Sequence, residues 1–181
     1  MIENQTLWVT QLKKGNELAA LNLYNSYSKA MYNILTRMMS DDEMAKDLLQ
    51  ESFVKAFNKI DNLGDPATFG GWLKRIVVNT GLEHLRKRKY QFEDINDEVL
   101  DQVDDSIEEG IEPEVIHQEI KKLPVGCRTV LTLFLLEGYS HEQIAEELNI
   151  SASTSRTQFR YAKQLLKEKL KDAYEKTRRY N

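Results

Sequence analysis

Only one cysteine, Cys127, occurs among the 181 residues, so the chain has no internal disulfide to form and no paired thiols for zinc or thiol exchange. Its neighbours Val125, Val130 and Leu131 are apolar, which marks Cys127 as a packing residue in a reducing compartment. The three histidines, His84, His117 and His141, lie far apart without metal-ligand spacing. The eight glycines form neither a phosphate-cradling loop nor a nucleophile elbow. These absences argue against an enzyme and give no cofactor or metal to expect. Long apolar runs are missing too. The longest, around Val130 to Leu136, is interrupted by Thr132 and falls short of the ~20 residues a bilayer span needs. The first residues lack a basic-then-apolar leader. The expectation is a cytoplasmic protein without membrane insertion.

What the chain does have is charge, in 30 % of its residues, unevenly placed around a net value of -4. From Tyr90 to Ile120 there are twelve Asp or Glu and no Lys or Arg. The flank up to Lys89 carries 13 basic against 10 acidic residues, and the flank from Lys121 carries 12 against 7. Two modestly cationic modules are therefore masked by one acidic segment, and an acidic total does not exclude nucleic acid as a partner. That segment mixes charge of one sign with scattered single aliphatics and no helical period, which predicts a flexible linker. The reading divides the chain into residues 1–90, an acidic linker over 91–112, and residues 113–181.

Periodicity predicts helix in both modules. Tyr24, Tyr27, Met31, Ile34, Leu35 and Met38 recur at three and four on a helix beginning near Asn16. Ser40 to Glu43 has the spacing of a capping box. The helix after it turns Ala45, Leu48, Leu49, Phe53, Phe57 and Ile60 inward and leaves Asp47, Gln50 and Glu51 together outside. Pro66 then disfavours helix at Asp65, so Asn62 to Asp65 is a loop. A third stripe runs from Phe69 through Trp72, Leu73, Ile76, Val77 and Thr80 into the basic residues Arg86 to Lys89. No strand pattern competes, so the fold class is all-α.

In the second module Pro113 suits a first helical position, with Val115, Ile116 and Ile120 following. Pro124 starts another helix, filled by Val130, Leu131, Phe134 and Leu135, and Gly138 supplies a left-handed stop. Ser140 to Gln143 then caps a short helix with Ile144, Ala145 and Leu148 inward. Asn149-Ile150-Ser151 makes a tight turn, and a longer helix continues through Phe159, Ala162, Leu166 and Leu170. This is helix-turn-helix spacing. The last helix bears Arg156, Arg160, Lys163, Lys167, Lys169 and Lys171, cations suited to phosphates beside short polar side chains suited to base edges.

Two motif sets carry a family resemblance over nearly the whole chain. The first is Asp47-Leu48-Leu49-Gln50-Glu51-Ser52-Phe53-Val54-Lys55-Ala56-Phe57, with Phe69-Gly70-Gly71-Trp72-Leu73-Lys74-Arg75-Ile76-Val77-Val78-Asn79 and the Arg86 to Lys89 run. The second is Leu123-Pro124, Arg128, Leu136-Glu137-Gly138-Tyr139-Ser140 and the helix-turn-helix through Arg156. In this order they resemble the extracytoplasmic-function (ECF) group of bacterial RNA polymerase sigma factors. The resemblance implies binding to core RNA polymerase and promoter-specific initiation, with promoter DNA engaged both double-stranded and as a melted single strand. An anti-sigma factor is a further implied partner, and no obligate homo-oligomer is expected.

Under that resemblance, Asp47, Gln50 and Glu51 would dock on the polymerase. From the residues alone the readier reading is a solvated helix face. Asn62 and Leu63 in the loop, with Trp72, Lys74, Arg75, Asn79, Arg86 and Arg88, correspond to the elements that bind and open the minus-ten promoter element. Trp72 admits core packing as readily as base stacking, and Asn79 admits plain solvation. Ser153, Thr154, Arg156, Thr157, Arg160 and Lys163 would enter the major groove at the minus-35 element. Two positions depart from the family pattern. Ser155 stands where an aliphatic residue is usual, which predicts looser packing, and Gln158 where Arg is common, which predicts a lost phosphate contact or an adenine-reading amide. The linker reads either as a tether or as a polyanion standing in for RNA in the polymerase channel. The alternative function is an autonomous helix-turn-helix repressor or activator, which leaves the first module's motifs unexplained.

Overall fold

In the computed structural model, residues 2–39, 41–87 and 112–179 are described, with side chains for 4–39, 41–87 and 112–171. No strand occurs among them. Eight helices do: α1 (Ile2–Lys13), α2 (Glu17–Met39), α3 (Asp42–Asn58), α4 (Phe69–Lys87), α5 (Pro113–Lys121), α6 (Val125–Leu131), α7 (His141–Leu148) and α8 (Ala152–Arg179). The chain divides into two compact units, Met1–Leu85 and Arg86–Asn181.

The apolar stripes read from the sequence build the first unit. Leu23, Leu35 and Met38 of α2 are fully enclosed with Phe69, Leu73, Val77 and Leu82 of α4, and Phe53 of α3 packs its ring 4.7 Å from that of Tyr24. Gly81 allows the close approach of α4 to α2, because a Cβ there would meet Met38 Cε at 3.1 Å and Leu35 Cδ2 at 3.3 Å. The N-cap of α3 corrects the expected capping box. Asp41 fills it, its carboxylate accepting from Glu43 N (3.0 Å) and Met44 N (3.1 Å). A carboxylate at that position satisfies two orphan donors at once. Ser40 itself lies outside the described residues. After α3, two single 3₁₀ turns, Ile60–Asn62 and Pro66–Thr68, flank the loop before α4. Asp65 is extended before Pro66, as the proline requires, and caps Ala67 N at 2.9 Å.

The second unit is built around Ile120, Leu123, Cys127, Leu131 and Ala162, with Ile116, Phe159 and Leu166 packed against them. Arg128 is buried and donates from Nη1 to the carbonyls of Lys121 and Leu123, both at 3.0 Å. It closes the C-terminus of α5, whose last carbonyls have no helical partner. After Leu131 the helix widens into a π turn over Thr132–Leu136, ended by Gly138 at φ +77°. The wider turn corrects one inward assignment: Leu135, expected in the core, is 55 % exposed. An extra residue in a turn rotates everything after it away from the 3.6-residue register. Ser140 and Gln143 form the expected reciprocal capping box on α7 (3.2 and 2.8 Å), and Asn149 takes the left-handed conformation that turns the chain into α8.

Candidate nucleic-acid interface and docking face

The α3 positions Asp47, Gln50 and Glu51 are all exposed, so the fold leaves this acidic and amide face open. Val54 shares it, at i+7 from Asp47 and i+4 from Gln50, and is 59 % exposed. Nothing in the sequence singles out Val54, because an isolated valine within a core-forming helix carries no signal of its own. Lys55 borders the face and joins Glu51 (2.9 Å) to Glu83 of α4 (3.0 Å). Burial lowers the Lys55 pKa, but the hydrogen bonds it donates to Glu51 and Glu83 more than offset it, so the amine stays above its ordinary value. This pairing fixes α3 against α4 and orients the Glu51 carboxylate.

Beyond α3, the loop exposes Asn62, Gly64 and Asp65, but the Leu63 side chain points inside and is only 4 % exposed. On α4, Trp72, Arg75, Asn79 and Arg86 fall within about 60° of one another at 3.6 residues per turn, so they form one stripe. Arg75 and Arg86 are exposed. Trp72 is half-buried, its ring 6.0 Å from that of Phe69. Asn79 keeps its Oδ1 buried without a hydrogen-bond partner among the described residues. Lys74 is not part of this stripe, since it projects from nearly the opposite side of the helix. Arg88 lies outside the described residues.

In the helix-turn-helix, Ser151 caps α8, its hydroxyl accepting from Thr154 N and bonding Thr154 Oγ1, both at 2.8 Å. That occupies Thr154, while Ser153, Arg156, Thr157, Arg160 and Lys163 follow along α8 within about 120° of one another, Thr157 being the one nearest Thr154. Arg156 is paired with Glu142 of α7 at 2.6 Å in an exposed ion pair. Lys163 Nζ lies 5.5 Å from the centre of the Phe159 ring. Both departures are enclosed and partnered where they stand. Ser155 is fully buried and bonds His141 Nδ1 at 2.9 Å, so it tightens the α7–α8 crossing that it was expected to loosen. Gln158 is 2 % exposed and its Oε1 accepts from Cys127 Sγ at 3.0 Å, so its amide faces the core, in keeping with the lost phosphate contact of the two expectations and against the base-reading amide. Both residues sit at inward positions of α8, where a short polar side chain persists only with a partner.

His141 stacks on Phe134 (ring centres 4.3 Å) and meets Phe159 edge-on. Burial and then the Arg156 guanidinium lower its pKa below the ordinary imidazole value, against a raising effect of Glu142. The Glu142 carboxyl is itself held low, chiefly by backbone and Ser140 hydrogen bonds.

Comparison with known proteins matches both units. The sigma-70 region 2 family model covers residues 23–90 and the sigma-70 region 4 model covers residues 114–166. The ECF RNA polymerase sigma factor SigW of Bacillus subtilis is 30 % identical over 91 % of this chain and 95 % of its own length. The ECF RNA polymerase sigma-E factor of Haemophilus influenzae is 31 % identical over 90 % and 93 %. Two solved structures share the fold at 22 % identity. The sigma factor RpoE of Bartonella quintana, in complex with the anti-sigma factor NepR, aligns with a TM-score of 0.53 over 83 % of this chain and 95 % of its own. CnrH, in complex with the cytosolic domain of CnrY, aligns at 0.52 over 94 % and 98 %. Two helical units, one ending in a helix-turn-helix, thus define a sigma-70-type initiation factor. The chain belongs to the ECF sigma factors. It binds core RNA polymerase and directs promoter-specific transcription initiation. No helix among the described residues is long and apolar enough to cross a membrane.

Proposed function

We propose that Asp47, Gln50 and Glu51, with Val54 among them, are the surface on which this sigma factor docks to core polymerase. Residues 1–90 combine that docking with recognition and opening of the minus-ten element, and residues 113–181 read the minus-35 element. The linker over 91–112 joins them. The observation that carries the docking assignment is the open α3 face, two carboxylates and an amide around an exposed valine. Such a mixture of charge and apolar area matches a basic partner surface with an apolar centre.

In the minus-ten element, Asn62 contacts a displaced base while Leu63 forms the floor beneath the loop. Trp72, Arg75, Asn79 and Arg86 line the path of the strand, Lys74 adds a phosphate contact from outside that stripe, and Arg88 adds a further one. In the minus-35 element, Ser153, Arg156, Thr157 and Arg160 face the major groove, with Thr154 and Lys163 at its edges. Arg156 exchanges Glu142 for DNA on binding. An exposed ion pair is worth only ~0.2–1 kcal/mol, so the exchange costs little. The chain works by binding alone in the cytoplasm, without catalytic groups, cofactor or obligate self-association. The complex of RpoE with NepR supports an anti-sigma factor as a regulator here.

The test is to mix the purified chain with core polymerase and a library of promoter fragments and map transcript starts. New starts that need both components, and that vanish with Asp47→Lys, support the proposal. Tight duplex binding by the chain alone, with no new starts, would instead make it an autonomous repressor.

A further inference from the structure

We infer that α1 is a clamp that shapes the minus-ten loop, with Gln5 and Lys13 as positioning residues for recognition of the melted strand. The inference rests on the assignment of the loop around Asn62 to that strand. Gln5 is 8 % exposed and uses its whole amide. Nε2 donates to the carbonyls of Pro66 (2.9 Å) and Ala67 (3.1 Å), and Oε1 accepts from the Tyr27 hydroxyl of α2. Lys13, two turns further along α1, donates from Nζ to the Leu63 carbonyl at 2.5 Å. These bonds span 50 to 62 residues of sequence, so no local turn preference replaces them.

The Tyr27 end of the relay is equally fixed. Its ring meets Phe69 edge-on at 5.3 Å and lies over Gly70, where a Cβ would come within 3.0 Å of Tyr27 Cε1. Burial raises the Tyr27 pKa, so the hydroxyl keeps its proton and remains a donor to Gln5.

The consequence is a division of the loop into two sides. Inward, the carbonyls of Leu63, Pro66 and Ala67 are held by α1 and the Leu63 side chain is buried. Outward, Asn62, Gly64, Asp65 and Thr68 are exposed. A loop held from behind presents its outer groups already arranged, and an incoming base does not have to order it. Without the clamp the same groups must be ordered during binding. The loss would fall on the single-strand step and on discrimination between bases, and would spare docking through α3.

Holoenzyme reconstituted with full-length variants tests this, using fork-junction DNA of a promoter recovered from the fragment library, with a matched or singly substituted single-stranded minus-ten segment. Gln5→Leu and Lys13→Met should each weaken the matched fork junction at least fivefold and reduce the matched-to-substituted ratio. Affinity for core polymerase should stay within twofold, and Lys13→Arg should retain binding because it keeps a donor. Lys13→Met decides the matter if Gln5→Leu does not fold. Clamp variants that match wild type while Asn62→Ala loses discrimination would overturn the clamp and leave the loop assignment standing. An equal loss on matched and substituted DNA would also overturn it, as a merely structural effect. Unchanged binding by Asn62→Ala would remove the loop assignment and the clamp with it.

Discussion

Gln158 and His141 show how far a single side chain's role depends on which way it faces. Gln158 lies between residues that face DNA in the proposed complex, yet its amide is enclosed with Cys127. Gln158→Met keeps the volume and removes the buried hydrogen bond with Cys127, so it should destabilise the second unit by at least about 1 kcal/mol. Minus-35 preference, measured by competition among promoter variants, should not change; a changed preference would return Gln158 to the groove. His141 sits between Phe134, Phe159 and Ser155, its folded pKa depressed by burial and by Arg156. The unfolded chain takes up a proton near ~6.5, before the folded chain does. The stabilisation is therefore complete above that value and lost as the pH falls through the folded pKa. Denaturant midpoints of the second unit's transition should drop between pH 7.5 and 5.5 in wild type and drop less in His141→Gln. Equal drops would mean that other groups dominate the acid response.

At the scale of elements, helical periods revealed α2, α3, α4 and the helix-turn-helix because each buries one broad stripe. α1 escaped, since among its described side chains only Gln5 and Val9 are buried and one of those is polar. Its value lies in hydrogen bonds to residues more than 50 positions away, which no local pattern encodes. The π turn was hidden for a related reason, because a widened turn changes hydrogen bonding without changing composition. The shared outer face of Asp47, Gln50 and Glu51 was legible by its i, i+3, i+4 spacing, while its proposed docking role came only through the family resemblance; Val54 was not legible, as valine is ordinarily read as core. An exposed valine has little packing to lose, so Val54→Asp should leave the thermal midpoint nearly unchanged. Placed at the centre of the docking face, it should reduce core-polymerase affinity at least tenfold, or about 1.4 kcal/mol, in a competition assay. A variant that competes as wild type would move docking away from α3.

For the molecule as a whole, the net charge of -4 belongs to the acidic segment and not to the two cationic sequence modules on either side of it. The ten carboxylates from Glu93 to Glu112 form a polyanion of the same sign as nucleic acid, with no Lys or Arg to neutralise them. A tether needs only length and solubility, which Ser and Asn supply equally well. Charge matters beyond solubility if the segment occupies a cationic site that nucleic acid later takes. We propose that it occupies the channel that receives RNA, and that growing transcripts must displace it. Replacing the ten carboxylates with Ser and Asn preserves length and polarity, so any effect can be assigned to charge. Displacement then becomes easier, and the ratio of abortive to full-length transcripts from one promoter should fall. An unchanged ratio, with promoter escape also unchanged, would reduce the linker to a tether and leave its acidity to solubility alone.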